Sequence, residues 1–165
     1  MTDLSPLLPA AGELIRLCTE KGLKIATAES CTGGLIAGTL TEIAGSSAVV
    51  DRGFVTYSNA AKTAMIGVPT ALIERVGAVS REVALAMVVG VLAKSDADLA
   101  VAVTGIAGPG GGSAEKPVGL VHFAAMRRGG QAVHEAHVFE GRDRSGVRFA
   151  TVEQALAMLQ VLAEG

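Results

Sequence analysis

Short apolar runs alternate with stretches of helical periodicity along this chain, and this alternation constrains the fold more than any other feature. Residues 23–28, 49–58 and 99–103 are rich in aliphatic side chains and predict three strands. The segments between them repeat apolar residues at intervals of three and four, which predicts helices. Strands separated by helices favour a parallel sheet that is covered on both faces.

The second half of the chain adds a hairpin and a long terminal helix. Residues 118–127 and 131–139 predict two antiparallel strands joined by a tight turn at Gly129-Gly130. A helix is predicted at about 145–163. Further helices are expected from Ser5-Pro6 to Gly22, over residues 35–43 and over about 81–94. Two short ones are expected between them, one capped by Asn59 and stopping at Gly67 and one opened by Pro69 and stopping at Gly77. The predicted fold is α/β, a three-layer α/β/α sandwich with a mostly parallel, mixed sheet, in one domain spanning residues 1–165.

Composition excludes several classes of function. Aromatic residues make up 3% of the chain and the net charge is −2, so we expect no nucleic-acid partner. The longest uncharged apolar run, residues 83–93, is about half of a membrane span, so we expect no membrane partner and a cytoplasmic location. The histidines, cysteines and acidic residues have no metal-ligand spacing, which predicts no metal site.

Glycine is the one unusual component, with 21 residues in 165, about twice the roughly 7% of average proteins. Several glycines end predicted helices. The others concentrate in two turns, residues 33–34 and 105–112, which we expect to meet at one edge of the sheet. Glycine permits close approach of the backbone, so these turns predict a place where a ligand can lie against the main chain.

Polar residues follow each of the three predicted parallel strands, at the edge where such folds bind ligands. Ser30 lies after the first strand, and from pattern alone it is either a helix cap or a nucleophile. Cys31 competes for the nucleophilic role, because a thiol at a helix N-terminus has a lowered pKa. Neither alternative is excluded by the pattern.

Lys62 is the candidate general base. The three histidines all lie in the hairpin, where positions on the sheet surface are expected, so a Ser-His-Asp triad is disfavoured. A desolvated lysine loses pKa and accepts a proton from a hydroxyl, as in Ser-Lys hydrolases. Tyr57 could relay that proton or hold the lysine. Arg144, at the start of the last helix, could bind a phosphate or pair with Asp143.

Five sequence blocks, in this order along the chain, resemble the CinA C-terminal domain family. They are residues 27–34 (TAESCTGG), 53–59 (GFVTYSN) with Lys62, 77–80 (GAVS), 104–109 (TGIAGP) and 115–119 (EKPVG). The resemblance covers roughly residues 10 to 160. It departs from the family at residues 141–144 (GRDR), where the family's Gly-Asp-Arg is one residue shorter, leaving Arg142 and Arg144 as alternatives.

The resemblance implies a three-layer fold, self-association, no cofactor and hydrolysis of nicotinamide mononucleotide to nicotinate mononucleotide and ammonia, in pyridine nucleotide salvage. It implies Ser30, Lys62 and Tyr57 as catalytic residues. The predicted substrate contacts, from the resemblance and the strand ends together, are Glu29, Thr32, Gly33, Gly34, Asn59, Thr104, Gly105, Gly108 and Arg144. The alternative function is a module that binds or senses a pyridine nucleotide without catalysis, and a scaffold acting through its surface fits the polar clusters less well.

Overall fold

The computed structural model describes residues 1–165 and contains one five-stranded sheet between two layers of helices. The strands are β1 (Ile25–Glu29), β2 (Val50–Val55), β3 (Leu99–Gly105), β4 (Leu120–Arg127) and β5 (Val133–Val138). The helices are α1 (Leu8–Lys21), α2 (Leu35–Thr41), α3 (Asn59–Ile66), α4 (Thr70–Val76), α5 (Arg81–Ala93) and α6 (Arg144–Glu164), with short 3-10 turns at Ser5–Leu7 and Ser46–Ala48. None of the helices combines the length and apolar character needed to cross a membrane.

The strand order is β2-β1-β3-β4-β5, with β2, β1 and β3 parallel and β4 antiparallel to both of its neighbours. Four of the five strands therefore run in the same direction. This arrangement confirms the predicted α/β/α sandwich with a mixed sheet and the predicted hairpin. Most strand boundaries differ from the prediction by one to three residues. The second strand ends at Val55 instead of residue 58, and β3 continues to Gly105, two residues beyond the prediction, paired with the returning strand β4.

Alternate residues of the strands enter two separate apolar clusters, one on each face of the sheet. One face is covered by α1, α2 and α6 and receives large strand residues such as Val101 and Phe123. The other is covered mainly by α5, and the fully buried strand residues on it are all alanines, namely Ala26, Ala28, Ala100, Ala102 and Ala124, while Phe54 and Met126 pack against it partly buried. A surface of alanines lets α5 lie close to the sheet, so few aromatic side chains are needed to fill this core.

The register of the parallel strands brings their carboxyl ends to one edge. Glu29 is opposite both Val55 and Val103, so all three strands end at about the same level. Two further hydrogen bonds extend this alignment past the strands, from Ser30 N to Val103 O at 3.2 Å and from Thr56 N to Glu29 O at 2.8 Å. The residues that follow β1, β2 and β3 therefore begin side by side.

Replacing Gly90 with Ala is expected to destabilise the protein, although Ala favours helices. An added Cβ at Gly90 in α5 would stand 1.9 Å from the main-chain oxygen of Ile66, at the end of α3. Overpacking of this kind costs about 1–3 kcal/mol, which exceeds the roughly 1 kcal/mol that Ala gains over Gly in a helix. Denaturant unfolding measures the difference.

Gly38→Ala is the matched control, because Gly38 is an exposed helical glycine in α2 with nothing within 4 Å of an added Cβ. This variant should be more stable than the original by about 0.5–1 kcal/mol. An increase in stability for Gly90→Ala as well would contradict the packing argument.

Candidate functional site

Ser30 and Lys62 meet at the carboxyl edge of the sheet. Ser30 follows β1 directly, and Lys62 lies in the first turns of α3, which begins shortly after the neighbouring strand β2. Lys62 Nζ is 3.0 Å from Ser30 Oγ. The lysine side chain is only 1% exposed, which makes it one of the largest fully buried side chains in the protein. The two residues form a hydroxyl-amine pair shielded from water.

The burial of Lys62 makes its ammonium form less favourable than that of an exposed lysine. Burial lowers the pKa of Lys62 below its ordinary value, and none of the protein's ion pairs includes it. Its other two neighbours are main-chain oxygens, Thr56 O at 2.9 Å and Tyr57 O at 3.5 Å. Carbonyl oxygens only accept hydrogen bonds, whereas the Ser30 hydroxyl can also donate. A neutral Lys62 would therefore donate its two N–H bonds to the carbonyls and turn its lone pair toward Ser30.

Glu29 takes over the capping role that was an alternative for Ser30. Its buried carboxylate accepts hydrogen bonds from Ile36 N at 2.8 Å and Ala37 N at 3.0 Å, the free amides at the start of α2. Thr32 Oγ1 also donates to it at 2.7 Å. Ser30 is thus free of the helix, and its hydroxyl contacts Lys62 instead.

Cys31 is buried among apolar residues and does not contact Lys62 through a hydrogen bond. Burial raises the pKa of its thiol to about 12. The lowered pKa expected of a thiol at a helix N-terminus is therefore wrong for this residue. The reactive thiolate is disfavoured there, and Ser30 is the better placed of the two nucleophile candidates.

Tyr57 and Arg144 meet at the mouth of the site. Arg144 Nη2 donates to Tyr57 Oη at 3.2 Å, and Arg144 Nη1 donates to Gly108 O at 2.7 Å. The Tyr57 hydroxyl makes no contact with Lys62, so the predicted proton relay has no hydrogen bond behind it. The Tyr57 side chain gives Lys62 no hydrogen bond either, and only the Tyr57 main-chain oxygen approaches Lys62 Nζ, at 3.5 Å.

Arg144, and not Arg142, faces the site. Asp143 caps α6 by accepting a hydrogen bond from Gly146 N at 2.7 Å, so it does not pair with Arg144. Arg142 lies over the Phe139 ring instead, 5.9 Å from its centre.

A cavity of about 300 Å³ opens above the Ser30–Lys62 pair. Most of the predicted site residues line it. These are Ser30, Tyr57, Asn59, Lys62, Thr104, Gly105, Gly108 and Arg144. Four predicted substrate contacts do not line it, namely Glu29, Thr32, Gly33 and Gly34. They lie in or beneath the turn that carries Ser30, with the Gly33 amide donating to Ser30 O at 3.1 Å.

One cavity wall was not predicted as part of the site. Ala78 and Val79, between α4 and α5, line the cavity opposite the glycine loop of residues 105–112. Thr104 Oγ1 donates to Ala78 O at 3.0 Å and Lys116 Nζ donates to Val76 O at 2.7 Å, which holds this segment in place. The block at residues 77–80 was the only sign in the sequence of this cavity wall. Its small side chains gave no chemical reason to include them in the predicted site.

The histidines lie away from Ser30. His122 and His134 contact each other across β4 and β5, with Nδ1 and Nε2 at 2.9 Å, and His137 contacts Glu135. All three lie on the hairpin, as predicted. No group of three or more His, Cys, Asp or Glu side chains is arranged to hold a metal ion.

Known proteins share both the sequence and the fold. The model of the CinA C-terminal domain matches residues 8–163. The nicotinamide-nucleotide amidohydrolase PncC of Escherichia coli K12 is 46% identical, over 96% of this chain and 95% of that protein. A CinA-like protein of Akkermansia muciniphila is 50% identical over 93% of this chain, but the chain spans only 38% of that relative's length.

A solved structure extends the similarity to three dimensions. The competence/damage-inducible protein CihA of Agrobacterium tumefaciens superposes with a TM-score of 0.93 at 57% identity, covering 96% of both chains. The matching blocks, the fold and the buried serine-lysine pair agree with one another. This chain belongs to the CinA C-terminal domain family.

Proposed function

We propose that this protein hydrolyses the carboxamide of nicotinamide mononucleotide to nicotinate mononucleotide and ammonia, as a step of pyridine nucleotide salvage. The observation that carries the proposal is the contact between Ser30 Oγ and the buried Lys62 Nζ in a cavity. The names of two PncC relatives, 46% and 56% identical, support the substrate. The proposed reaction uses no cofactor, and self-association and a cytoplasmic location stay predictions.

The proposed reaction passes through an acyl-enzyme. Neutral Lys62 removes the Ser30 proton as Oγ bonds to the carboxamide carbon, and the carbonyl oxygen becomes an oxyanion. Lys62 then returns the proton to the amide nitrogen as the C–N bond breaks, and ammonia leaves. In the second half, Lys62 takes a proton from water, which attacks the ester and releases the carboxylate. Ser30 regains its proton at the end.

The main chain of the nucleophile turn, residues 30–34, supplies the proposed oxyanion site. Donors in such a site must be free before the substrate binds. The Gly33 amide is engaged with Ser30 O, which makes it unsuitable. The amides of Cys31 and Thr32 donate to no oxygen of the protein, and Cys31 lines the cavity. We therefore assign the oxyanion contact first to the Cys31 amide.

The far end of the cavity is suited to the 5′-phosphate. Arg144 is exposed there and is paired with no carboxylate, so its charge is available. The amides of Gly108, Gly110 and Gly111 in the neighbouring loop have no acceptor in the protein. A guanidinium beside free amides is a suitable phosphate site.

Removing either member of the serine-lysine pair should abolish turnover. Ser30→Ala lacks the nucleophile, and Lys62→Met fills the buried site with an apolar side chain but offers no base. Each variant should lose at least about 1,000-fold in kcat, which ammonia release from nicotinamide mononucleotide measures. Lys62→Arg should be equally inactive, because a guanidinium stays protonated.

Cys31→Ala is the control variant. It should keep most of the activity, because the thiol that it removes stays protonated in the unaltered protein. Full activity in Ser30→Ala with loss in Cys31→Ala would transfer the nucleophile to Cys31. Saturable binding of nicotinamide mononucleotide by the unaltered protein without ammonia release would favour the binding module instead.

The activity should rise with pH along an acid limb. Lys62 works only when neutral, so kcat/KM falls as the pH drops through its pKa and the amine becomes protonated. Burial places that pKa below the ordinary value of 10.5, so the midpoint should lie below 10.5. A pH profile of kcat/KM locates the midpoint. A profile that falls as pH rises over the same range would contradict the general-base role.

Arg144 and Tyr57 should act mainly on binding. Arg144→Met should raise KM for nicotinamide mononucleotide about tenfold or more, because a charged hydrogen bond contributes roughly 1.5–3 kcal/mol. The phosphate-free riboside should be affected little by this change.

Tyr57→Phe removes the contact with Arg144 and should raise KM several-fold, with kcat nearly unchanged. A large loss of kcat in Tyr57→Phe would instead support the predicted proton relay.

A further inference from the structure

Arg148, a residue of α6, donates hydrogen bonds to the main chain of the nucleophile turn. Its Nε donates to Cys31 O and its Nη2 donates to Thr32 O, each at 3.2 Å. The side chain is half-buried and takes part in none of the protein's ion pairs. The partly desolvated guanidinium of Arg148 therefore donates its hydrogen bonds to two successive carbonyls beside Ser30.

One of those carbonyls belongs to the least constrained peptide of the turn. The Gly33 amide donates to Ser30 O at 3.1 Å, so residues 30–33 form a β-turn whose central peptide joins Cys31 to Thr32. The two common turn types differ chiefly in which way this central peptide faces. The only hydrogen bond to its oxygen comes from Arg148.

The orientation of that peptide decides where its amide points. In a trans peptide the N–H is directed opposite to the C=O. With Cys31 O held toward Arg148, the Thr32 N–H points away from the guanidinium, and reversing the peptide would turn this N–H around. The reversal would also change the backbone angles of Cys31, the residue whose amide is assigned to the oxyanion.

Gly33, the next residue of the turn, also lies beside the Arg148 guanidinium. Its φ of +60° is left-handed, and an added Cβ would lie 3.7 Å from Arg148 Nη2. The guanidinium therefore lies directly against the turn.

We propose that Arg148 is a positioning residue for catalysis, which holds the Cys31–Thr32 peptide so that the free amides of the turn and Ser30 Oγ stay aligned for attack. The inference rests on the proposed role of Ser30 as nucleophile. It does not depend on the identity of the substrate, because the contacts of Arg148 are all with the main chain of the turn.

Arg144 provides a matched comparison on the same helix. It lies one turn before Arg148, but it contacts Gly108 O and Tyr57 Oη on another wall of the cavity. Both arginines are unpaired cations that donate to main-chain oxygens. Only Arg148 touches the nucleophile turn, so exchanging each for Met separates the effect of the turn from a general loss of charge.

The test is the rate at which a small alkyl fluorophosphonate labels Ser30, followed by intact mass and checked with Ser30→Ala. The reagent needs an activated serine and an oxyanion site but no nucleotide contacts. Arg148→Met should label about 100-fold more slowly than the unaltered protein, because misplacement of a reacting group by about 1 Å costs this much. Arg148→Lys should be intermediate, since an ammonium lacks the fork that spans two carbonyls. Arg142→Met removes an exposed arginine that lies over Phe139 and does not line the cavity, and it should label at the unaltered rate.

In deamidation, Arg148→Met should lower kcat with little change in KM, the reverse of Arg144→Met. A labelling rate in Arg148→Met equal to that of the unaltered protein would overturn the proposal, whatever its effect on thermal unfolding. If Arg148→Met does not fold, Arg148→Gln gives the same comparison. Labelling of Ser30 without hydrolysis of nicotinamide mononucleotide would refute the proposed substrate, while the labelling rates would still decide the role of Arg148.

Discussion

Lys62 carries an amino group into the interior of the protein, where only 1% of the residue is exposed, 3.0 Å from Ser30 Oγ. An ammonium buried without a carboxylate partner is costly, and a protein lowers that cost by making the amine neutral. In the proposed mechanism the two carbonyls near Lys62 accept its hydrogens and leave the lone pair for the Ser30 hydroxyl. The same burial that disfavours the charge would thus create the proposed base.

Glu29 explains why Ser30 is available to Lys62. A helix that begins one turn after a strand needs acceptors for its first amides, and serine commonly supplies them. Here the carboxylate of Glu29 reaches Ile36 N and Ala37 N from the last position of β1. The first amides of α2 thus find their acceptor in the residue before Ser30, and the Ser30 hydroxyl is left free to contact Lys62. Cys31, next in the chain, turns into the apolar core, where its thiol stays protonated.

The first two turns of α6 connect segments that are far apart in the chain. Arg144 contacts the glycine loop and Tyr57, while Arg148 contacts the nucleophile turn. The two glycine-rich turns had been expected to meet at one edge of the sheet. Cys31 and Gly108 do line one cavity, but Gly33 and Gly34 do not. Their φ values of +60° and +102° are left-handed, so glycine serves the backbone conformation of one turn and the lining of the cavity in the other.

The sequence by itself determined the sandwich, the hairpin and the set of strand ends, because these follow from periodicities of two and 3.6 and from turn residues acting locally. It also brought Ser30, Lys62 and Tyr57 forward, since each stands at the end of a predicted strand or shortly after it. Only the tertiary structure decided that Ser30 is better placed than Cys31 as the nucleophile candidate. It alone also showed that Arg144 and not Arg142 lies at the cavity. It showed as well that Glu29 contacts the helix and does not line the substrate cavity. Those choices depend on which side chain is buried and what lies within about 3 Å of it, and such distances are set by packing between segments remote in sequence.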